Sequence, residues 1–348
     1  MDNYQVGGSL MAPDMYDVTI LGGGPVGLYA AYYAGFRTLR TKIIESLNAL
    51  GGQVTALYPE KWIYDVAGFP RIIGRQLVDN LTEQAMQYKP TICLGETVSG
   101  LTLLPDATLQ LKTERAVHLT RTVLITAGIG AFHPKTFKNP SIDGFDGKGL
   151  YYFVKSFQEF KDKRVLIAGG GDSAVDWALG LLGIARSITL IHRRDQFRAA
   201  EDSVQKMLKS SIQVKTFYEL RRLEGSNKVE RAVIYSNKTN IDETIEVDAV
   251  IASLGFLSTL GPIQEWGLDL EHDSIRVNTR METNLRGVYG AGDIVTYPGK
   301  VKLIATGFGE GATAANNIAA YINPKASVFP GHSSSQDVHE KQKVSAKT

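Results

Sequence analysis

Gly169, Gly171 and Ala174 stand in a G-x-G-x-x-A pattern, after the apolar run Val165–Ala168 and before a stretch opened by Asp172 and Ser173. Where a strand turns into a helix, glycines at this spacing let backbone approach a pyrophosphate, and the helix N-terminus offers N–H donors and positive dipole. A second apolar run, Ser187–Ile191, ends in His192, Arg193 and Arg194, with Arg198 following. A carboxylate at this strand end would accept from a ribose 2′-hydroxyl; arginines suit a 2′-phosphate instead. Each guanidinium–phosphate contact is worth about 1.5–3 kcal/mol. Gly169, Gly171, Asp172, Ser173, Ala174, Arg193, Arg194 and Arg198 therefore form a candidate NADP(H) site, with His192 packing beneath the adenine.

A second turn lies near the start of the chain. The run Tyr16–Leu21 leads into Gly22-Gly23-Gly24-Pro25-Val26-Gly27, a small-residue helix is expected over Gly27–Gly35, and Thr41–Ile44 ends in Glu45. An acid about twenty residues beyond such glycines fits a free ribose diol and repels a 2′-phosphate. One chain thus carries two nucleotide turns of opposite ribose chemistry, which implies NADPH and FAD together, because a flavin takes hydride from a nicotinamide without a protein base. Gly22, Gly24, Pro25, Gly27 and Glu45 are the FAD candidates at this turn. Further along, Leu50–Pro70 is expected to be neither helix nor strand, with Gln53 and Tyr58 able to hydrogen-bond and stack on a ring system. Val123–Gly128 and Val288–Asp293 are expected strands running into glycines. Asp293 falls where a strand's C-terminal end opens on a ligand crevice. Its other possible role, capping the next helix, fits less well because Tyr297-Pro298-Gly299 intervenes before a helix expected over Lys302–Ala320.

The elements that must position these residues amount to two strand–turn–helix units in a chain of 348 residues, long enough for two domains. Hydrophobic residues at 43%, charged residues at 21% and a formal net charge of only +2 describe an ordinary globular chain with no field for nucleic acid or membrane. No apolar run reaches the length of a membrane span and the first fifteen residues do not read as a signal peptide, so a cytoplasmic setting is expected. The single cysteine, Cys93, excludes a disulfide framework and any C-x-x-C pair; within Thr91–Leu94 it reads as a small apolar strand residue. No metal site is expected.

Through GGGPVG, GGQ, VLITAG, GGGDSAVDWAL, HRRDQFRA and VYGAGD, spread from residue 16 to about 322, the chain resembles the two-dinucleotide-binding-domain flavoprotein reductases of the thioredoxin-reductase-like group. In thioredoxin reductase a redox-active C-x-x-C precedes the NADPH-side strand. Tyr152 and Lys155 stand at those positions here, which excludes a dithiol relay. The YPEKWIYDVAGFP loop, the Ala291–Lys300 segment and the tail are similar to ferredoxin–NADP(+) reductases of the thioredoxin-reductase-like type.

That resemblance implies an α/β fold of two Rossmann-like, three-layer ββα domains. The FAD domain would be discontinuous, residues 1–133 and 257–330, with an NADP domain at 134–256 and a tail at 331–348 whose first residues lie over the flavin. From the residues themselves, the Gly-containing crossovers Gly128–Pro134 and Ser253–Gly261 are expected hinges, and the alternating apolar residues of Val214–Val250 are expected to form a sheet hairpin of the NADP half. The resemblance also implies that Glu45 reads the FAD ribose, that Gln53 and Tyr58 contact the flavin, and that Val98 and Phe132 line the site. Asp293 would meet the ribityl or pyrophosphate region and Ser334 would lie near the flavin. His332 is the candidate ring opposite Tyr58, stacking and gating access, with residues from Gln336 onward loose. No side chain would be catalytic in the acid, base or nucleophile sense. The implied partners are ferredoxin or flavodoxin and a second copy in a homodimer. An acidic carrier calls for a basic docking surface, and Arg71, Arg75, Lys300 and Lys302 lie on segments that could rim the flavin, although scattered solvated side chains account for each of them as well. Two other classes stand beside this one: an NADPH-dependent quinone or small-molecule reductase or monooxygenase, and a non-enzymatic NADPH-sensing flavoprotein.

Overall fold

A computed structural model describes residues 14–335, and the chain divides into two compact units. Among the described residues the first comprises 14–52, 80–128 and 260–335, and the second 53–79 and 129–259.

In the first unit the strand Met15–Leu21 lies between Thr41–Glu45 and Val117–Ile125, all parallel, with Thr91–Leu94 outside Thr41–Glu45. Val288–Gly290 joins the other side of Val117–Ile125, also parallel. Leu109–Lys112 and Gly100–Leu103 extend the sheet as antiparallel strands. Ile20, Ile43 and Leu124 are opposite one another and fully buried, as expected of a parallel sheet covered on both faces. The helix Pro25–Phe36 begins with proline at its first turn, where a missing N–H costs nothing. It packs on the helix Ile304–Ile322 through small residues. A Cβ on Gly307 would come within 2.4 Å of Val26 Cγ2, and one on Gly311 within 3.3 Å of Ala30 Cβ. The expected second helix thus runs two residues further along than Lys302–Ala320.

The second unit is built on a five-stranded parallel sheet in the order Leu150–Tyr151, Ala249–Ser253, Arg164–Gly169, Ser187–His192, Gln213–Thr216. Phe160, Ile167, Val175 and Leu190 anchor the core on one face; Leu150, Leu166, Ile234 and Val250 anchor the other. The expected hairpin over Val214–Val250 is more elaborate. Gln213–Thr216 and Ala249–Ser253 are strands of the parallel sheet, while Tyr218–Glu224, Arg231–Ser236 and Asp242–Glu246 form a separate antiparallel sheet. The two chain passages at 131–134 and 256–259 pair antiparallel, with Phe132 opposite Ser258.

The stretch Leu50–Pro70 departs from expectation. Gly51 and Gly52 take positive φ and release a helix, Gly52–Leu57, that ends before Pro59. Trp62–Ile63 then pairs with Ile72–Ile73 as a short hairpin. Residues 53–79 belong to the second unit because their side chains bond there. Lys61 pairs with Asp176, Arg75 donates to the Lys155 carbonyl at 3.4 Å, and Tyr58 packs on the Trp177 core. Cys93 lies in the strand Thr91–Leu94, half-buried, and burial and the nearby Glu96 raise its thiol's pKa.

Candidate functional site

The first nucleotide turn is shaped by steric exclusion. Gly22 adopts φ +109°, and a Cβ on Gly27 would fall 1.9 Å from the Gly22 carbonyl oxygen, so the helix can start against the strand only if that residue is glycine. A Cβ on Gly24, in contrast, would meet nothing nearer than Gly52 Cα at 3.9 Å, leaving the turn open on that side. Gly24 caps the helix in extended backbone with no side-chain bond, so the first-turn N–H groups have no side-chain acceptor at the cap. Glu45, only 5% exposed, closes the other side of the turn. Its Oε2 accepts from the Gly23 N–H at 2.7 Å, and its Oε1 accepts from the Leu47 N–H at 2.9 Å and the Ser46 hydroxyl at 3.2 Å. Three donors fix the carboxylate at the end of the strand Thr41–Glu45, and its remaining lone pairs are available to a diol.

Asp293 follows the strand Val288–Gly290, half-buried, and makes no hydrogen bond among the described residues. Burial pushes its carboxyl above the ordinary carboxylate range, against the pull of Lys300 and Lys302. It does not cap the following helix: Leu303 stands at that N-cap without a side-chain bond. Sequence reasoning missed Glu310, a buried acid in the glycine–alanine helix Ile304–Ile322. It accepts from the Gly292 N–H at 2.7 Å, from the Tyr297 hydroxyl at 2.6 Å, and from Lys300. An acid within ATGFGEGATAA was the available signal.

Val98 packs on the first unit's core. Gln53 lies in the helix Gly52–Leu57, and Tyr58 follows it, half-buried, in the second unit. Phe132 is in the strand Ala131–Pro134, and its side chain lies outside the described residues. His332 and Ser334 line a cavity of about 580 Å³ with Tyr29, Tyr32 and Tyr33. The His332 ring meets Phe329 edge-on at 5.3 Å. None of the turn residues Gly22–Gly27 lines that cavity. The tail from Gln336 onward lies outside the described residues.

The second turn opens a cavity of about 950 Å³ within the second unit, lined by Gly169–Ser173, Arg193, Arg194 and Arg198. Gly169 is pressed on the neighbouring strand: a Cβ there would lie 2.5 Å from the Ser253 carbonyl oxygen. The glycine turn and the arginine loop are tied together. Arg198 N–H donates to the Gly170 carbonyl at 2.7 Å, Ala200 N–H donates to Asp172 Oδ1 at 3.0 Å, and His192 covers Gly170. His192 Nε2 lies 3.0 Å from the Gln196 carbonyl oxygen and so carries the hydrogen. Burial lowers its pKa, reinforced by Arg193 and Arg194. Arg193, Arg194 and Arg198 are exposed, and among the described residues none forms an ion pair. Three uncommitted guanidinium groups beside open helix N–H donors are the chemistry that can hold a polyanion. Lys61, Lys135 and Tyr58 also line it; the first two went unnoticed in the sequence.

Two glycine turns, one closed by an acid and one by arginines, define a class of chain that handles two different nucleotides. The family model for pyridine nucleotide-disulphide oxidoreductases matches residues 16–311. Among solved structures the chain is similar to thioredoxin reductase from T. acidophilum, with 25% identity, TM-score 0.73, and 90% of this chain and 99% of that one covered. The Lactococcus lactis thioredoxin reductase matches at 26% identity and TM-score 0.73, over 88% of this chain and 99% of that one. Among curated relatives, the ferredoxin–NADP reductase of Geobacillus thermodenitrificans is 53% identical over 92% of this chain and 97% of its own length. Ferredoxin–NADP reductase 2 of Shouchella clausii is 54% identical over 92% of this chain and 98% of its own. The chain belongs to the pyridine nucleotide-disulphide oxidoreductase family and, within it, to the ferredoxin–NADP reductases of thioredoxin-reductase-like fold. Among the described residues no helix is long and apolar enough to cross a membrane.

Proposed function

We propose that the chain is an NADPH-dependent FAD oxidoreductase that moves electrons between NADPH and ferredoxin or flavodoxin without a dithiol relay. The observation that carries this reading is the contrast between the two strand ends: Glu45 beside one glycine turn, and uncommitted Arg193, Arg194 and Arg198 beside the other. FAD fits the first turn, because Gly24 leaves room for a pyrophosphate, Glu45 is held for a ribose, and Asp293 is a half-buried carboxyl without a hydrogen-bond partner among the described residues. When bound, FAD supplies the exchange between a two-electron hydride donor and a one-electron carrier, which no side chain here supplies.

The chain's own residues bind and orient. Gly22, Gly24, Pro25 and Gly27 present the helix N-terminus to phosphate; Glu45 and Asp293 hold hydroxyls; Arg193, Arg194 and Arg198 hold the 2′-phosphate and so favour NADPH over NADH. Gln53, Tyr58, Val98 and Phe132 are assigned to the flavin surroundings. His332 and Ser334 reach a flavin across a subunit boundary in a homodimer. In support, the cavity that these two residues line within one copy does not include the turn Gly22–Gly27.

The test is direct. The purified protein should show a flavin absorption spectrum and reduce a purified ferredoxin with NADPH far faster than with NADH. Reduction by both cofactors at equal rates, or absence of flavin, would refute the reading.

A further inference from the structure

Residues 62–71 display three large aromatic side chains to solvent: Trp62 is 41% exposed, Tyr64 66% and Phe69 39%. They do not sit on a slack loop. Ile63, Val66 and Ile72 are buried and anchor the hairpin, so the alternate positions point outward. The Phe69 N–H donates to the Val66 carbonyl at 3.2 Å, and Gly68 takes φ +91° to close that turn. The Arg71 guanidinium lies over the Trp62 ring, 4.6 Å from its centroid. Tryptophan, tyrosine and arginine exposed on one short hairpin, with Arg71 stacked on Trp62, have the composition of an interface hot spot.

The charges are sorted as well. Glu60 is neutralised by Arg75, and Lys61 by Asp176. Among the described residues Arg71 makes no ion pair; Asp65 is the acid within residues 62–71, and Lys206, which interacts electrostatically with Tyr64, is itself neutralised by Asp202. The patch therefore favours an acidic partner. Its base is bound to the backbone beside Tyr58. Lys61 N–H donates to the Tyr58 carbonyl at 3.1 Å, Arg75 N–H to the Pro59 carbonyl at 2.9 Å, and Gly74 N–H to the Lys61 carbonyl at 3.0 Å.

We propose that the Trp62–Arg71 hairpin is the docking surface for the acidic iron–sulfur carrier protein, with Trp62 and Arg71 as its central contacts. The proposal rests on the function inferred above, in which Tyr58 contacts the flavin. A carrier seated on this hairpin is then one short, hydrogen-bonded segment from the group that delivers its electron. Its acidic surface meets Arg71, and its apolar centre covers Trp62, Tyr64 and Phe69.

The experiment compares the flavin-loaded wild type with Trp62→Ala and Arg71→Glu, and with the conservative Trp62→Phe and Arg71→Lys. NADPH oxidation is measured with a purified ferredoxin and, separately, with ferricyanide, a small anion that needs no protein docking. The expected result is a rise of about tenfold or more in KM for ferredoxin in the first two variants. The conservative variants should recover most of it, the Arg71→Glu variant should lose salt sensitivity, and ferricyanide rates should be unchanged. An unchanged KM at equal flavin content overturns the proposal. So does a loss that falls equally on ferricyanide, which would assign the hairpin to the cofactor site, or an altered sedimentation coefficient, which would make it a subunit contact. If the wild type reduces ferricyanide but neither ferredoxin nor flavodoxin, the functional reading fails, and the docking proposal with it.

Discussion

Lys300 is paired with Glu310 in the interior of the first unit, each side chain only 4% exposed, so the expectation that Lys300 rims a docking surface for an acidic carrier fails. The pair closes a circuit around the turn that carries Asp293: Glu310 also holds the Gly292 N–H and the Tyr297 hydroxyl, which burial and that carboxylate push up to about 12. A buried carboxylate that accepts from a backbone amide, a phenol and an ammonium is fully compensated, and removing any one donor or the acid leaves a stranded polar group.

Glu310→Ala should therefore be far more damaging than its distance in sequence from either glycine turn implies. Breaking one side of a buried pair costs about 3–5 kcal/mol. The expected outcome is a clearly lower denaturation midpoint and a lower flavin content. The double replacement Lys300→Met/Glu310→Leu should recover much of the stability, because no charge is stranded. Differential scanning calorimetry checks it; equal losses in the single and double variants would count against the argument.

Glu45, whose carboxylate holds the Gly23 N–H, permits a finer test of the FAD assignment. Glu45→Gln keeps an acceptor for the Gly23 N–H but loses the charge, while Glu45→Ala loses both. With charge-assisted bonds worth about 1.5–3 kcal/mol, FAD dissociation constants should rise roughly tenfold to a hundredfold, more for Ala than for Gln. Flavin fluorescence on dilution measures this directly, and NADPH affinity should be unaffected.

Gly170 and His192 make a sharper steric prediction. A Cβ on Gly170 would lie 2.3 Å from His192 Cε1 and Nδ1, so Gly170→Ala must displace the ring that Gln196 and Phe197 hold. The ring's displacement carries Arg193 and Arg194 with it, and misplacements on the scale of an ångström cost up to about a hundredfold. The KM for NADPH should rise while FAD content stays constant. His192→Ala in the same chain should relieve the clash, so the two substitutions should be less than additive in a double-mutant cycle.

Acid sensitivity should show at Asp248. Its side chain accepts from Arg164 Nη2 at 2.9 Å and from Arg164 Nε at 3.0 Å, and these bonds hold its carboxyl down to about 2, against burial, which acts the other way. A depressed carboxylate stabilises the fold above its unfolded pKa, near 3.9, and loses that contribution as pH falls through the folded value. Asp248→Asn should thus lower the melting temperature at neutral pH. The gap to wild type should close between about pH 4 and pH 2. Because a third of each side chain is solvent-exposed, the effect should be modest. A gap that persists unchanged below pH 2 would mean that packing, not charge, is what Asp248 contributes.

What the sequence revealed and what it hid follow from the range of the interactions. The two nucleotide turns were legible because strand, glycines, helix and closing residue are local, and the sterically required glycines answer contacts inside their own unit, such as Gly27 against Gly22 and Gly169 against Ser253. Glu310 was not legible because its partners at 292, 297 and 300 converge only when a loop folds back on a helix. The helix Gly52–Leu57 was missed because its entry depends on Gly51 and Gly52 both taking positive φ, which composition does not announce. The hairpin at Trp62 hid behind irregular spacing: only Ile63, Val66 and Ile72 point inward. The setting of His332 was equally hidden, because it depends on tyrosines some three hundred positions earlier in the chain.

Arg193 and Arg194 carry the prediction on which cofactor choice turns. They stand exposed at the end of the strand Ser187–His192, on a loop tied to the glycine turn through Arg198, and neither is neutralised by an acid among the described residues. A free guanidinium has no competing partner to give up when a phosphate arrives, so its contact is realised nearly in full. Two contacts of about 1.5–3 kcal/mol each correspond to a preference of two to four orders of magnitude. Arg193→Ala/Arg194→Ala should lose most of the discrimination in kcat/KM between NADPH and NADH, chiefly through weaker NADPH use. Flavin content and the rate with saturating NADH should hold. If the double variant still prefers NADPH strongly, the 2′-phosphate is held elsewhere, and Lys61 and Lys135, which line the same cavity, become the residues to replace next.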